Sequence, residues 1–394
     1  MKTTTLIFLL IAHCALAQPK KGEPVPNLRF GPILNAPVET ASLDQFRGKL
    51  VLIEFWATWC SPCLEAMPHL NALQTRHANQ LQVVTVTDES PQRIGQFLAK
   101  RPSNLWVAID SSRSLTNIFP HHTIPHTILI GPDGRLIAQT RPSAVTDALI
   151  DSLWRGQAVH LPEKVDNPLT LAEIVRTYFD AADTVKSRFM MQAQIKGAPG
   201  VQMTHANDPV FRNRRITCIN LPLTTLYQIA YGDFPYKRTI DKTGSTDESP
   251  VYCLDLIVAS KEQLHPTLQR ELASRFDVQT RIEAQQKEVN VLRITDPVKF
   301  ARIPRSQSEE RTFSARRGSM DQKAATMADL ADYLEAYGPD KLIVVDETGN
   351  RELLDIKFSY QPEDPASLPA VLSSMGLAST KERRTVDMLV LFKE

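Results

Sequence analysis

The chain has 394 residues, of which 42% are hydrophobic and 23% are charged, and its formal net charge is +1. This length exceeds what one ordinary hydrophobic core supports, so two or more domains are expected. The composition is that of a globular protein, and the near-zero net charge implies neither a nucleic-acid partner nor a strongly charged membrane surface.

The N-terminus has the pattern of an export signal. Lys2 precedes a short apolar run at residues 6–12, and small residues at 15–17 precede a cleavage point. We therefore predict a signal peptide over residues 1–17 and an exported protein in the periplasm or cell envelope of a Gram-negative bacterium. No later stretch approaches ~18 consecutive apolar residues, which predicts a mature chain without a transmembrane segment.

Residues 22–155 show alternating strand and helix patterns. A nearly continuous apolar run at 49–57 predicts a central strand buried on both faces, and a second buried strand is predicted at 81–87. Apolar residues at every third position from Leu64 to Leu73 predict a helix between these strands. Later segments indicate an amphipathic helix near 94–98, a hairpin around the turn sequence GPDG at 131–134 and a closing helix over 143–154.

The second half of the chain predicts an α+β region. A polar stretch over 156–168 is typical of a linker, and a helix is predicted at 169–182 before a C-terminal domain that extends to residue 394. Two segments, about 211–295 and 312–394, then share one order of strand, helix, strand, helix and strand. We interpret them as two related small-sheet units. The alternative is that any α/β region shows such alternation.

Cys60 and Cys63 form a Cys-x-x-Cys motif, which has three possible roles. A structural zinc site usually needs four ligands, and the chain has no second such pair. A structural disulfide that closes so few residues adds little stability. A redox pair remains, and the helix predicted after the motif favours it. Histidines that could complete a zinc site stand at His69, His121, His122 and His126.

The spacing of the pair suits thiol chemistry. A cysteine at a helix N-terminus is stabilised as a thiolate by unpaired N–H groups and the helix dipole, which lowers its pKa. The second cysteine lies one turn along the helix, within reach of the first. We therefore predict Cys60 as the attacking thiolate and Cys63 as the resolving thiol, with Ser61 and Pro62 setting the turn.

The segment FWATWCSPC at 55–63 resembles the active site of thioredoxin-fold proteins, specifically the exported TlpA/ResA-like thiol-disulfide oxidoreductases. The segments at 42–57 and 122–138 are similar to two further parts of that family. The resemblance implies a thioredoxin-like fold over residues 22–155 and no cofactor or metal. It assigns Glu54 to the buried acid beneath the cysteines and Pro125 to a cis-proline beside them. The active-site groove would be lined by Trp56, Trp59, Ser61, Pro62, Ile124 and His126.

Two positions depart from the pattern of that family. A second acid is common three residues after the second cysteine, where this chain has Ala66, preceded by Glu65. We expect Glu65 to lie on a solvated helix face. His126 replaces a threonine, and we expect it to line the groove rather than to tune the cysteines.

The C-terminal region resembles a soil-bacterial domain of unknown function found on exported proteins. The similarity is carried by RELASRFDVQTRIE at 270–283, VVDETGN at 344–350 and GLASTKERRTVDMLVL at 376–391. This resemblance supplies no chemistry, and the sequence shows no catalytic constellation there.

The favoured function is that of a thiol-disulfide oxidoreductase, predicted to be a protein-disulfide reductase of cell redox homeostasis. Its partners would be a disulfide-bearing protein or a small thiol substrate and an electron-donating envelope thiol protein. One alternative is an envelope binding protein in which the C-terminal repeats carry the main role. A second is a thiol peroxidase, although neither Cys60 nor Cys63 has a proline seven residues before it.

The remaining cysteines, Cys218 and Cys253, fall on two predicted strands of one small unit. Neighbouring strands could bring them together, so a structural disulfide is one hypothesis in an oxidising compartment. Two buried free thiols are the alternative.

Overall fold

The computed structural model describes residues 18–246, 249–307 and 311–393, and the predicted signal peptide lies outside them. Within these residues the chain divides into two compact units, 18–98 with 102–164 and 99–101 with 165–393. No helix in the described part of the chain is both long and apolar enough to cross a membrane. Each unit is described separately.

The first unit contains eight strands and four α-helices among its described residues. The strands are β1 (Arg29–Phe30), β2 (Ile33–Leu34), β3 (Ala41–Ser42), β4 (Leu50–Phe55), β5 (Leu81–Thr87), β6 (Trp106–Ile109), β7 (His126–Ile130) and β8 (Leu136–Thr140). The helices are α1 (Ser61–Arg76), α2 (Pro91–Lys100), α3 (Ser114–Ile118) and α4 (Asp147–Trp154).

A six-stranded sheet in the order β2-β6-β5-β4-β7-β8 forms the centre of this unit. β4 pairs parallel with β5 and antiparallel with β7, and all six of its residues are buried. Its side chains alternate between two cores: Leu50 and Leu52 pack with Leu70 of α1, whereas Val51 and Ile53 pack on the opposite face. This is a thioredoxin-like arrangement, and it places the end of β4 at the start of α1.

The second unit contains eleven strands and six α-helices among its described residues. The strands are β9 (Arg188–Ala193), β10 (Val201–Met203), β11 (Arg215–Pro222), β12 (Thr239–Lys242), β13 (Val251–Ile257), β14 (Gln279–Ile294), β15 (Thr312–Arg316), β16 (Ser319–Ala325), β17 (Ile343–Asp346), β18 (Leu354–Ser359) and β19 (Leu377–Phe392). The helices are α5 (Leu171–Tyr178), α6 (Leu223–Ala230), α7 (Leu264–Ala273), α8 (Pro297–Phe300), α9 (Met327–Tyr337) and α10 (Ser367–Ser374).

The second unit is built from two related halves. β14 and β19, 16 residues each, pair antiparallel over their whole length. β12 of the first half pairs parallel with β19, and β17 of the second half pairs parallel with β14. Each half therefore adds a short strand to the long strand of the other, which gives the sheet order β12-β19-β14-β17.

The halves also share a local irregularity. β11 pairs with β13, and β16 with β18, with a shift of register near the end of β11 and of β16. At these points Asn220 and Ala324 have φ angles of 48° and 50°. A positive φ is uncommon for residues other than glycine, so its presence at the same place in both halves supports the interpretation of two related small-sheet units.

Candidate active site

The Cys60–Cys63 pair lies where β4 leads into α1. Cys60 is the N-cap of α1, and the two cysteines form a disulfide with their Cα atoms 5.3 Å apart. The backbone N–H of Cys63 donates to Sγ of Cys60 across 3.3 Å. Ser61 and Pro62 occupy the first positions of the helix, where a proline costs no hydrogen bond. The Cys60 sulfur therefore receives the N–H groups and the dipole of a helix start, which favour a thiolate.

Both cysteines are buried, and Cys60 is slightly more exposed than Cys63. Cys60 is 5% exposed and Cys63 is 1% exposed, while the neighbouring Trp59 is 37% exposed. Ser61 and Pro62 are exposed as well. The surface beside the disulfide is thus formed by these three residues, whereas Trp56 and His126, which the sequence placed along the groove, are buried beneath it.

A proline loop approaches the disulfide from the other side. The Ile124–Pro125 peptide bond is cis, and the Ile124 carbonyl oxygen lies 3.8 Å from Sγ of Cys60. Ile124 itself is half-buried and packs against the cluster that contains both cysteines. The loop and the helix start thus border the same sulfur.

Glu54 lies beneath the first turns of α1. Since side chains alternate along a strand, Glu54 shares a face with Leu52 and Trp56. Leu52 packs in the cluster that includes α1, and Trp56 packs with both cysteines. Glu54 is buried, and its Oε2 accepts a hydrogen bond of 2.5 Å from Oγ1 of Thr127, its register partner on β7.

The Glu54 carboxyl group is electrostatically unusual. Its Oε1 is buried and has no hydrogen-bond partner among the described residues. Burial raises the pKa of Glu54 from 4.5 to about 8, and the hydrogen bond from Thr127 and the charge of Lys164 oppose part of that rise. Near neutral pH this group can both accept and release a proton, as a general acid or base must.

The ring of His126, at the start of β7, packs in a row with the rings of His121 and Phe55. Its ring lies 4.8 Å from that of His121 at an angle of 20°, and the His121 ring lies 4.6 Å from that of Phe55. Lys164 donates to the Thr123 carbonyl across 2.7 Å, and its Nζ is 3.3 Å from Nδ1 of His126. Sequence analysis did not single out Lys164, and no local pattern marks it, because its partners are about forty residues away along the chain.

A second contact missed from the sequence fixes the loop before Cys60. The Glu89 carboxylate accepts hydrogen bonds from the Thr58 backbone N–H at 2.6 Å and from its hydroxyl at 2.8 Å. Arg93 Nε donates to the same hydroxyl oxygen at 3.1 Å. The feature of the sequence that could have indicated this contact is an acidic residue closely following the buried strand β5.

Glu65 is exposed on α1, as expected for a solvated helix face.

The other two cysteines are not joined, so the hypothesis of a Cys218–Cys253 disulfide is wrong. Both are buried free thiols. They do lie on paired strands, but Cys218 stands opposite Leu254, one residue from Cys253. Adjacent residues of a strand point to opposite faces, and accordingly Cys218 packs beneath α6 and α7 while Cys253 packs beside α5. Burial also raises the pKa of Cys218 far above its ordinary value, which makes it a poor nucleophile.

No group of three or more histidine, cysteine or acidic side chains suited to a metal ion occurs among the described residues.

Two known families match separate parts of the chain. Residues 20–151 match the Redoxin family, which covers the disulfide, the proline loop and Glu54. The N-terminal domain is a TlpA/ResA-like redoxin domain. Residues 234–392 match a family described as a protein of unknown function, DUF3738. This match covers most of the second unit, from just before β12 to the end of β19.

Proteins similar to the redoxin domain are named thiol-disulfide oxidoreductases. The chain is 26% identical over 134 residues to the thiol-disulfide oxidoreductase ResA of Bacillus thuringiensis subsp. konkukian, a match that covers 34% of this chain and 76% of that protein. It is 29% identical over 114 residues to ResA of Bacillus subtilis, covering 28% of this chain and 60% of that protein.

A solved structure, the thioredoxin domain of a thiol-disulfide oxidoreductase from Bacteroides vulgatus, is 20% identical and covers 35% of this chain and 99% of its own, with a TM-score of 0.30.

Together with the paired cysteines, the family match makes this protein an oxidoreductase with a redox dithiol. The geometry adds a sulfur that caps the start of α1, and a buried acid on the strand that leads to it.

Proposed function

We propose that the protein is an exported disulfide reductase in which Cys60 attacks the substrate and Cys63 resolves the intermediate. The observation that carries the proposal is the position of Cys60. Its sulfur caps α1 and accepts the Cys63 N–H, and as a residue Cys60 is slightly more exposed than Cys63. These features favour a thiolate at Cys60 and shield Cys63 until the second step.

The reaction starts from the dithiol form. The Cys60 thiolate attacks one sulfur of the substrate disulfide, a Cys60–substrate bond forms, and the other substrate sulfur leaves as a thiolate that takes up a proton. Cys63 then gives its proton to the Glu54 carboxylate and attacks Sγ of Cys60. The mixed disulfide breaks, the second substrate sulfur leaves as a thiolate that takes up a proton, and Glu54 releases the proton that it accepted. The substrate has then gained two electrons and two protons, and the Cys60–Cys63 disulfide has formed.

Each turnover leaves the pair oxidised, so the cycle needs a reductant. We propose an electron-donating thiol protein of the envelope in this role, and a disulfide-bearing protein or a small disulfide as substrate. The proposed location in a Gram-negative periplasm is supported by the signal pattern at residues 1–17.

The C-terminal unit is proposed to recognise a protein partner or the cell envelope. Its described cysteines, Cys218 and Cys253, are buried free thiols, which places them poorly for thiol exchange with a substrate. Deleting residues 166–394 should reduce substrate trapping by a Cys63→Ser variant in cells. Unchanged trapping would remove the recognition role.

Two assays on the full chain test the direction of the reaction. Insulin reduction in the presence of dithiothreitol should be catalysed by the wild type and should fall to background in Cys60→Ser. The Cys60–Cys63 reduction potential, measured against glutathione, should lie near the reducing end of the range from about −270 to −120 mV known for this class of dithiol. A potential near the oxidising end, with disulfide formation in a reduced substrate, would make the protein an oxidase instead.

A further inference from the structure

The loop between β4 and α1 rests on the segment that follows β5. The backbone N–H of Trp56 donates to the Val86 carbonyl at 3.0 Å, and the Trp56 ring lies 5.3 Å from that of Phe97 on α2. Ile94 and Phe97 of α2 belong to the same buried cluster as both cysteines. The loop that leads to Cys60 is therefore packed against α2.

Thr58 forms the polar part of this contact. It is 2% exposed, its backbone N–H donates to Oε2 of Glu89 at 2.6 Å, and its hydroxyl donates to Oε1 at 2.8 Å. The hydroxyl oxygen also accepts a hydrogen bond of 3.1 Å from Nε of Arg93. Both oxygens of the carboxylate thus bind one residue of the loop, and hydrogen bonds to a carboxylate are stronger than those between neutral groups.

Glu89 is itself held between two regular elements. Its N–H donates to Oγ1 of Thr87, the last residue of β5, at 3.3 Å. The next residue, Ser90, accepts the N–H of Arg93 on its Oγ at 3.2 Å, which fixes the start of α2. The carboxylate therefore lies at a supported junction between β5 and α2, and a group supported in this way can position a neighbouring loop closely.

The turn that contains Thr58 ends at Cys60. The Cys60 N–H donates to the Ala57 carbonyl at 3.1 Å, so the turn between them brings Cys60 to the N-cap of α1. In the oxidised protein the bond to Cys63 also ties Cys60 to α1. In the dithiol form that bond is absent, and only noncovalent contacts hold the Cys60 sulfur at the helix start, where a thiolate is stabilised. The carboxylate contact should therefore stabilise the dithiol form more than the disulfide form.

We propose that Glu89 and Thr58 are positioning residues of the redox site, which keep the Cys60 sulfur at the start of α1 when the dithiol is reduced. The inference rests on the role of Cys60 as the attacking thiol proposed above. Both residues act through the turn that they hold, so the substrate meets a thiolate whose position is already set, which lowers the entropy cost of the attack.

A general effect on stability is the competing explanation, and a matched threonine separates the two. Thr116 on α3 has the same arrangement as Thr58, because its N–H and its hydroxyl both donate to the Asp110 carboxylate at 3.0 Å. Its neighbour Leu115 packs in a core cluster that does not contain the cysteines. Thr116→Val should therefore lose a similar hydrogen bond without disturbing the turn before Cys60.

The first experiment measures the equilibrium of the Cys60–Cys63 pair with glutathione in the full-length protein. Thr58→Val removes the hydroxyl but leaves every charge in place, and it should shift the equilibrium towards the disulfide by about three- to tenfold, the effect of roughly one hydrogen bond. Thr58→Ser, which keeps the hydroxyl, and Thr116→Val should stay close to the wild-type value. An unchanged equilibrium in Thr58→Val, or an equal shift in Thr58→Ser or Thr116→Val, would overturn the proposal.

Variants of Glu89 test whether its hydrogen bonds or its charge are responsible. Glu89→Ala removes both bonds to Thr58 and should shift the equilibrium in the same direction as Thr58→Val, by at least as much. Glu89→Gln keeps an oxygen acceptor and should recover most of the wild-type behaviour, and Asp88→Ala, which removes the charge of the exposed adjacent residue, should have no effect. A shift towards the dithiol in Glu89→Ala would show that loss of a negative charge stabilises the Cys60 thiolate, and the positioning role would be wrong.

The rate of attack separates this inference from the proposed function. Formation of a mixed disulfide on Cys60 with a chromogenic disulfide should slow in Thr58→Val by a similar factor, and Thr58→Ser should restore it. A wild type that forms no mixed disulfide would refute the proposed reductase, while the glutathione equilibrium would still decide whether Thr58 and Glu89 favour the dithiol form. Normal attack by the wild type, with the same rate and the same equilibrium in Thr58→Val, would overturn the inference alone.

Discussion

Among its described residues each unit of the protein has two buried cysteines and at least one buried carboxyl group, but the surroundings of Glu54 and Asp255 differ. Glu54 in the first unit has one hydrogen bond and one buried oxygen without a partner. Asp255 in the second unit, equally buried, receives hydrogen bonds from Arg215 at 2.8 Å, Thr217 at 2.6 Å and Arg188 at 2.7 Å. The Asp255 carboxylate is thus paired on both oxygens, whereas the poorly paired Glu54 carboxyl group, whose pKa burial raises to about 8, can exchange a proton near neutral pH.

The cysteines repeat this contrast. Cys60 caps a helix next to the exposed Trp59, whereas Cys218 lies in an apolar core that raises its pKa. Residue type therefore does not distinguish the two units. The helix start that Cys60 caps and the raised pKa of the buried Glu54 distinguish them, and we infer that these mark the reactive site.

The largest expected effect separates the two cysteine pairs. Cys60→Ser should reduce insulin reduction to background, because no thiolate then attacks the substrate. Cys218→Ala should leave that activity within about twofold of the wild type, since the thiol is buried and is not bonded to Cys253. A large loss of activity in a folded Cys218→Ala protein would contradict this contrast.

A large kinetic effect is expected from the buried acid of the first unit. Glu54→Gln should slow the decay of the Cys60 mixed disulfide by ~10²–10⁴-fold, the usual contribution of a positioned general base. The first attack by Cys60 should be nearly unchanged. Stopped-flow kinetics with a chromogenic disulfide would follow both steps, and Asp255→Asn is the control that should affect neither. Equal decay in wild type and Glu54→Gln would mean that Glu54 is only a tolerated buried acid.

The corresponding substitution in the second unit should act on stability. Asp255→Asn leaves Arg215, which is almost completely buried, without its counter-charge, and breaking such a pair typically costs about 3–5 kcal/mol. Urea unfolding followed by far-UV circular dichroism would show the loss. Tryptophan fluorescence provides an internal control, because the four tryptophans, at positions 56, 59, 106 and 154, all lie in the first unit. A transition at the same urea concentration as in the wild type would show that the network adds no net stability.

The smallest effect is a pH dependence of the first unit. Since folding raises the pKa of Glu54 from 4.5 to about 8, the folded state retains a proton that the unfolded state loses. The resulting stability is complete below pH 4.5 and is lost as the pH rises through about 8. Between these limits the oxidised wild type should lose about 2–5 kcal/mol relative to Glu54→Gln, because one pKa unit corresponds to about 1.4 kcal/mol. Urea unfolding followed by tryptophan fluorescence would measure this, and parallel curves would refute it.

The strands and helices around the redox site were predicted from the sequence more completely than those of the second unit. Long apolar runs predicted β4 and β5, and apolar spacing predicted α1. The short elements β6 and α3 were missed because four or five residues give too little periodicity. The long strand β14 was not predicted to begin at Gln279, because its first ten residues are mostly polar and pair with β19 along a solvated ribbon, so they lack the apolar pattern of a buried strand.

Other errors arose from register and tertiary contact. Cys218 and Cys253 were correctly placed on neighbouring strands, but a register offset of one residue puts them on opposite faces, and no single sequence reveals that offset. Glu54 and the cysteines were predictable from a local motif. Lys164 was not, because its place beside His126 depends on the path of a polar segment over the folded domain.

The most direct test of the account is to trap the reaction intermediate on the full-length protein. A reduced Cys63→Ser variant, mixed with a peptide disulfide and digested after acid quenching, should carry the peptide on Cys60, with none on Cys218 or Cys253, as judged by mass spectrometry. A matched Cys60→Ser variant should carry little or no peptide. An adduct on Cys218 or Cys253, or stronger labelling of Cys63 in Cys60→Ser than of Cys60 in Cys63→Ser, would contradict the assignment of Cys60 as the attacking thiol.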